Sequence, residues 1–110
     1  MKVKLNELMI LERILLEFDS KHKFELDFGD AYNLHQYLTN VGKMTNYAFL
    51  IQDEYGRINN NSDDLKKYHK KVMDSVIDYD CSEIVNFIDE ICEKVKDEKI
   101  NEFILNNKFW

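Results

Sequence analysis

The apolar residues of this chain recur mostly at the three- and four-residue spacing of α-helices. The longest run forms one stripe at Tyr37, Val41, Met44, Ala48, Ile51 and Tyr55. Three residues extend the stripe towards the N-terminus, namely Ala31, Leu34 and Leu38. Because residues at this spacing share one face of a helix, the pattern predicts a long helix over about residues 31–55. Gly56 is expected to end it.

Three other segments also have a helical period. Asn6 can cap a first helix that runs to about Ser20. A third helix opens at Ser62, and its apolar side carries Leu65, Tyr68, Val72, Met73 and Val76. A fourth helix carries Ile84, Ile88, Ile91, Cys92 and Val95. Beyond Lys96 the apolar residues fit either another helical turn or a short strand. The segment 56–62, GRINNNS, is the clearest predicted loop.

Two segments alternate between apolar and charged residues, which is typical of strands. They are residues 1–5 and residues 23–28, and together they can form a short two-stranded hairpin. The predicted fold class is mainly α: a small bundle of about four helices with one long central helix, to which this hairpin is an optional addition. Gly42, inside the long helix, indicates either a close helix crossing or a local break.

The helical stripes predict one hydrophobic core, consistent with a single domain over residues 1–110. Its predicted members come from the first, second and fourth helices: Leu8, Leu11, Leu15, Val41, Met44, Ile51, Ile84, Ile88 and Ile91. The long helix carries more apolar residues than this core needs. Two adjoining lines (Tyr37, Met44, Ile51 and Leu34, Leu38, Val41), with Phe49 and Leu50 elsewhere, therefore predict a homodimer.

Composition narrows the function. The formal net charge of −6 argues against binding to nucleic acid, because affinity for a phosphate backbone comes from cations. Cys81 and Cys92 have no CxxC spacing and are interpreted as small buried hydrophobes in a reducing compartment. Acidic residues interrupt the apolar N-terminal run, so neither a signal peptide nor a membrane span is expected. The predicted location is the cytoplasm.

No pattern of residues indicates catalysis. The three histidines, His22, His35 and His69, are scattered, and no metal-ligand, phosphate-loop or nucleophile motif is present. The acidic residues of the fourth helix lie opposite its apolar stripe and are interpreted as a solvated face: Glu83, Asp89, Glu90 and Glu93. We therefore expect no catalytic residues, no metal, no cofactor and no enzymatic activity.

Two features predict a binding surface for a partner. The segment 66–71, KKYHKK, places four lysines and a tyrosine on the third helix, at Lys66, Lys67, Tyr68, Lys70 and Lys71. Such a run either attracts an acidic partner or only solubilises the helix. The chain closes on Phe109 and Trp110, which either fold back on the core or anchor a partner.

Three stretches, in this order along the chain, carry a resemblance to a known group of proteins. They are MKVKLNELMILERILLEF, DAYNLHQYLTNVGKMTNYAFLIQDEYG and IVNFIDEICEKVKDEKINEFIL. The arrangement resembles a family of uncharacterised small proteins encoded by phages and prophages of Gram-positive bacteria. The short GRINNNS loop and the Phe-Trp ending depart from the family's pattern. The resemblance implies a mostly helical accessory protein and assigns no catalytic residue.

These observations lead to one main functional hypothesis and two alternatives. The main hypothesis is a phage accessory protein that binds and modulates a host or defence protein, in host takeover or counter-defence. The first alternative sequesters a nucleotide or another small anionic signal, with phosphate contacts from Arg57, Lys66, Tyr68, Lys70 and Lys71. The second alternative is a structural role in virion assembly.

Overall fold

A computed structural model describes residues 2–58 and 62–110. The described residues form five α-helices, one 3-10 turn and a two-stranded sheet. In chain order the elements are β1 (Val3–Lys4), α1 (Leu5–His22), a 3-10 turn (Lys23–Glu25), α2 (Phe28–Ile58), α3 (Ser62–Met73), β2 (Val76–Ile77), α4 (Ser82–Lys94) and α5 (Glu98–Asn107). The molecule is elongated, with extents of 48 × 24 × 24 Å. This length is close to that of α2, because 31 helical residues span about 46 Å.

The first helix, α1, lies at the centre of the core. Its start is fixed by Glu7, whose Oε1 accepts a hydrogen bond of 2.9 Å from the Lys4 N–H. The helix therefore begins at Leu5, one residue before the cap predicted at Asn6. Its inner side chains are at most 2% exposed: Leu5, Leu8, Leu11, Ile14, Leu15 and Phe18. These buried residues spread over about half of the circumference of the helix, so α1 packs against neighbours on more than one side.

The long helix α2 extends beyond the predicted range at both ends. Asp27 caps it, since its Oδ1 accepts a hydrogen bond of 2.8 Å from the Asp30 N–H. Gly56 does not end the helix as predicted, because it has no positive φ and stays within α2, where it faces Leu65 of α3. Part of the predicted 56–62 loop lies outside the described residues. Gly42 causes no break, and it lies beside Glu12 where α1 and α2 cross.

The two-stranded sheet is antiparallel, but its second strand is not the predicted one. Val3 pairs with Ile77 and Lys4 with Val76. Residues 23–28 instead form the 3-10 turn and the start of α2, so the predicted pairing of residues 1–5 with 23–28 is wrong. Phe24 and Phe28, two of the apolar residues in this alternating segment, are 93% and 86% exposed. A buried strand face would have covered both rings.

The predicted core forms one cluster with a single exception. Leu8, Leu11, Leu15, Val41, Ile84, Ile88 and Ile91 are fully buried together, and Met44 packs against them. Ile51 is 42% exposed and is not a core residue. It lies on the part of α2 that α1 and α4 do not cover. The mainly α fold with one long central helix is confirmed, and no helix in the described part of the chain is long and apolar enough to cross a membrane.

Candidate functional site

An open apolar groove lies between the C-terminal half of α2, helix α3 and strand β2. Its volume is about 560 Å³. The lining is mostly apolar, from Leu5, Met44, Tyr47, Ala48, Ile51, Tyr68, Val72 and Ile77, with Lys43 and Ser75 at the edges. Tyr47 is 67% exposed and Ile51 is 42% exposed, so part of this apolar surface faces water. Exposed apolar concavities of this size are typical of binding sites.

Helix α3 forms one wall of the groove and rests on α2 through a few contacts. The rings of Tyr55 and Tyr68 stack with centroids 3.9 Å apart. Gln52 Nε2 and His69 Nδ1 lie 2.7 Å apart, within hydrogen-bond distance. None of the described side chains of α3 is fully buried. Helix α3 therefore exposes most of its surface, including its four lysines, to water.

The four lysines of α3 are all exposed, but they lie on two different sides of the helix. Tyr68 and Val72 are the residues of α3 that line the groove. Because each residue turns the helix by about 100°, Lys71 is the lysine nearest to the groove, and Lys67 lies on the same flank of α3, one turn earlier. Lys70 lies on the side of α3 away from the groove, with Lys66 one turn before it. Tyr68 contributes to the groove wall, with its ring face against Tyr55.

The C-terminal tail lies against α4, so that Phe109 and Trp110 take the first of the two predicted alternatives and fold back on the core. Phe109 and Trp110 are partly buried against the core cluster. Their rings meet edge to face with centroids 5.2 Å apart. Trp110 Nε1 donates a hydrogen bond of 3.4 Å to Asp89 Oδ1, and Lys108 Nζ lies 4.0 Å from the same oxygen. Packing against the core removes part of the apolar surface of both rings from water, which is energetically favourable.

Because the tail covers part of the core, we expect Trp110→Ala to destabilise the protein. Burial of most of one indole contributes about 1–3 kcal/mol to the free energy of unfolding. Thermal melting measures this loss, and Leu105→Ala, at a position that is 77% exposed, is the control. Equal melting temperatures for the two variants would contradict the packed tail.

The cysteines and the acidic residues of α4 have ordinary structural environments. Burial is the main cause that raises the pKa of both the Cys81 and the Cys92 thiols, which makes them poor nucleophiles at neutral pH. The acidic residues of α4 are exposed, as predicted: Glu83, Asp89, Glu90 and Glu93. Among the described residues no group of three or more His, Cys, Asp or Glu side chains could hold a metal ion.

One histidine is tied into an ion-pair cluster that joins α1 to α5. His22 Nε2 lies 2.8 Å from Asp97 Oδ2, and its Nδ1 lies 3.0 Å from Glu25 Oε1 in an ion-pair contact without hydrogen-bond geometry. Asp97 also caps α5, because its Oδ1 accepts from the Lys99 and Ile100 N–H groups. The hydrogen bond to Asp97, with Glu25 adding to it, raises the pKa of His22 above its ordinary 6.5. The same bond lowers the pKa of Asp97 from 3.8.

The cluster predicts a pH dependence of stability. A raised pKa means that His22 contributes most below its unfolded pKa of 6.5, and this contribution is lost as the pH rises through the folded value. Asp97 contributes above 3.8 and loses its share as the pH falls through its lowered pKa. We expect His22→Gln to lower the melting temperature by about 4–8 °C at about pH 5.5 and by less at about pH 8.5.

Leu105→Ala, at the exposed position on α5 already used as a control, serves again here. It should leave the dependence of melting temperature on pH as it is in the wild type. If the melting temperatures of His22→Gln and of the wild type change by the same amount between the two pH values, the charge of His22 does not contribute to stability.

The sequence does not predict the groove. Tyr47 belongs to none of the predicted stripes, and the spacing assigns Ile51 to the core. It also assigns Val76 to the third helix, whereas α3 ends at Met73 and Val76 lies in β2. The surplus of apolar residues on α2 was the one indication of the site, but it does not reveal which of them the neighbouring helices leave uncovered.

Comparisons of the chain with protein-family models, curated proteins and solved structures gave no match.

Proposed function

We propose that this protein is a non-catalytic binding protein that holds a helical segment of a partner protein in the groove between α2 and α3. The observation that carries the proposal is the groove itself: about 560 Å³ of space with an almost wholly apolar lining, open to water. An amphipathic helix buries its apolar face in such a groove through residues one turn apart. Tyr47 and Ile51, which are one turn apart on α2, can serve as complementary ridges.

The charges at the groove indicate the chemistry of the partner segment. Lys43 lines the groove on α2, and the exposed Lys71 and Lys67 lie on the flank of α3 that is nearer to it. The chain as a whole carries a net charge of −6, so this basic border differs in sign from the rest of the molecule. Opposite charges steer encounter and fix the orientation of a partner. The expected partner segment therefore has an apolar stripe flanked by acidic residues.

A designed helical peptide tests this function directly. The probe has leucines at one-turn spacing and glutamates on both flanks, and two control peptides are used with it. In one control, lysines replace the glutamates, and in the other the leucine positions are scrambled. We expect fluorescence anisotropy to show binding at least about tenfold tighter for the probe than for either control. Equal binding of the probe and the scrambled peptide would mean that charge alone is recognised, and the proposal would fail.

The identity of the partner is a separate question. That it is a host or defence protein met by a phage stays a prediction, which a purified candidate can test by the same anisotropy competition. A nucleotide is poorly matched to an apolar lining, because phosphates need several cations or N–H groups. A panel of nucleotides in thermal melting tests that alternative, since a ligand at about 100 times its Kd adds about 2.7 kcal/mol.

A further inference from the structure

The outer face of α2, away from the bundle, carries large apolar residues that no other part of the described structure covers. Phe28 is 86% exposed, Tyr32 is 55%, Tyr47 is 67% and Leu50 is 63%. Phe28 and Tyr32 stand one turn apart, their rings stacked with centroids 6.4 Å apart. Helical spacing places all four on the side opposite the buried residues Leu34, Val41 and Thr45. The helix is thus apolar on its outer side as well as on its inner side.

The same face is almost free of charge. From Ala31 to Gln52 the only residue with a formal charge is Lys43, in a chain of which 33% is charged. A helix face that stays in water normally carries charged residues. Depletion of charge together with exposed tyrosine and phenylalanine is the composition of a protein–protein interface.

The exposed apolar area reaches the lower limit of what a stable interface needs. An aromatic side chain presents roughly 150–250 Å², so the four exposed residues leave on the order of 500 Å² of apolar surface in water. A biological interface should bury at least about 1,000 Å² in total, which is about 500 Å² on each partner. The exposed Gln36 and the partly exposed Thr39 lie on the same face between its two apolar ends and add polar area to it.

We propose that α2 pairs through this face with α2 of a second copy of the chain, antiparallel and centred near Thr39. In this register Phe28 of one copy faces Leu50 of the other, and the contact repeats on the other side of the two-fold axis. Parallel pairing would place Lys43 against Lys43. The antiparallel register places Lys43 opposite His35, eight residues along the helix, which separates the two ammonium groups by about 12 Å.

This interface replaces the one expected from the sequence. Leu34 and Val41 are fully buried within one chain, and Tyr37, Leu38 and Met44 pack against its core, so these residues are not free to form a dimer. Leu50 alone belongs to both the expected set and the proposed contact. The proposal does not rest on the groove function, because Phe28, Tyr32 and Leu50 do not line the groove, although Tyr47 and Lys43 border both surfaces.

Light scattering coupled to size-exclusion chromatography tests the proposal over a range of micromolar concentrations. The wild type should have twice the 13.2 kDa mass of one chain. Leu50→Glu places charge within the apolar contact and should give the mass of a single chain. Leu105→Glu introduces the same change at an exposed site on α5 and should stay dimeric. A wild type of 13.2 kDa throughout, or equal effects of the two variants, would overturn the proposal.

A mixing experiment tests the antiparallel register. Phe28→Lys and Leu50→Glu should each be monomeric alone. When they are mixed, the antiparallel register brings the introduced lysine of one chain to the introduced glutamate of the other. It also leaves one contact between Phe28 and Leu50 intact, so a dimer should return. If the mixture remains monomeric, this register is wrong.

The groove and the dimer face can be tested separately. Peptide binding by the monomeric Leu50→Glu variant reports on the groove alone, so that failure of one proposal is not mistaken for failure of the other.

Discussion

Leu15→Ala is expected to lower the free energy of unfolding by about 2–5 kcal/mol. Leu15 has no exposed surface and lies in the helix around which the other helices pack. Its truncation removes buried methyl groups and leaves a cavity that the close-packed core cannot fill. A domain of this size is stable by only about 5–15 kcal/mol. The loss should therefore appear in chemical denaturation as a large shift of the midpoint, with little change in slope.

The neighbouring residue is the natural control for this substitution. Leu16, like Leu15, is a leucine of α1, but it is 50% exposed. Leu16→Ala should cost much less, because its side chain already lies half in water. A loss below about half a kcal/mol for Leu15→Ala would show that α1 does not form the centre of the core.

Reversal of the two lysines on the flank of α3 nearer to the groove is expected to slow association with the acidic peptide by about tenfold or more at low salt. In the double variant Lys67→Glu and Lys71→Glu, attraction at the groove edge becomes repulsion. Steering charges act mainly on the association rate, and salt screens them. Stopped-flow measurements at several salt concentrations should therefore show a slower rate with a flatter salt dependence.

The opposite side of α3 offers a control with the same change in net charge. Lys66→Glu combined with Lys70→Glu reverses two charges that face away from the groove. This variant should keep most of the wild-type association rate. If the two double variants slow association equally, the peptide responds to total charge, and the position of the lysines along the groove has no role.

The helices could be predicted because apolar periodicity is a local property of the sequence. The stripe from Tyr37 to Tyr55 identified α2, and the core residues of α1 and α4 followed from the same spacing. The sheet could not be predicted in this way. Strands of two residues, Val3–Lys4 and Val76–Ile77, have no measurable period, and their pairing depends on how α3 returns the chain to the start of α1.

The candidate site was only half predictable for a related reason. Composition showed the lysines of α3, but their division into a groove side and a far side depends on where α3 lies against α2. The burial of Phe109 and Trp110 likewise depends on a surface of α4 that is formed only in the folded chain. Ile51 fits the core stripe by spacing, yet it is exposed because α3 contacts α2 next to it, at Gln52 and Tyr55, and leaves an open groove at Ile51 itself.

The isoleucine methyl spectrum of the protein, recorded during titration with the acidic peptide, tests the groove as a binding site most directly. Ile51 and Ile77 line the groove, whereas Ile88 and Ile104 are buried in the core cluster. The proposed function predicts that the methyl resonances of Ile51 and Ile77 shift with added peptide while those of Ile88 and Ile104 stay in place. Resonances of Ile51 and Ile77 that do not move, or larger shifts at Ile88 and Ile104, would contradict it.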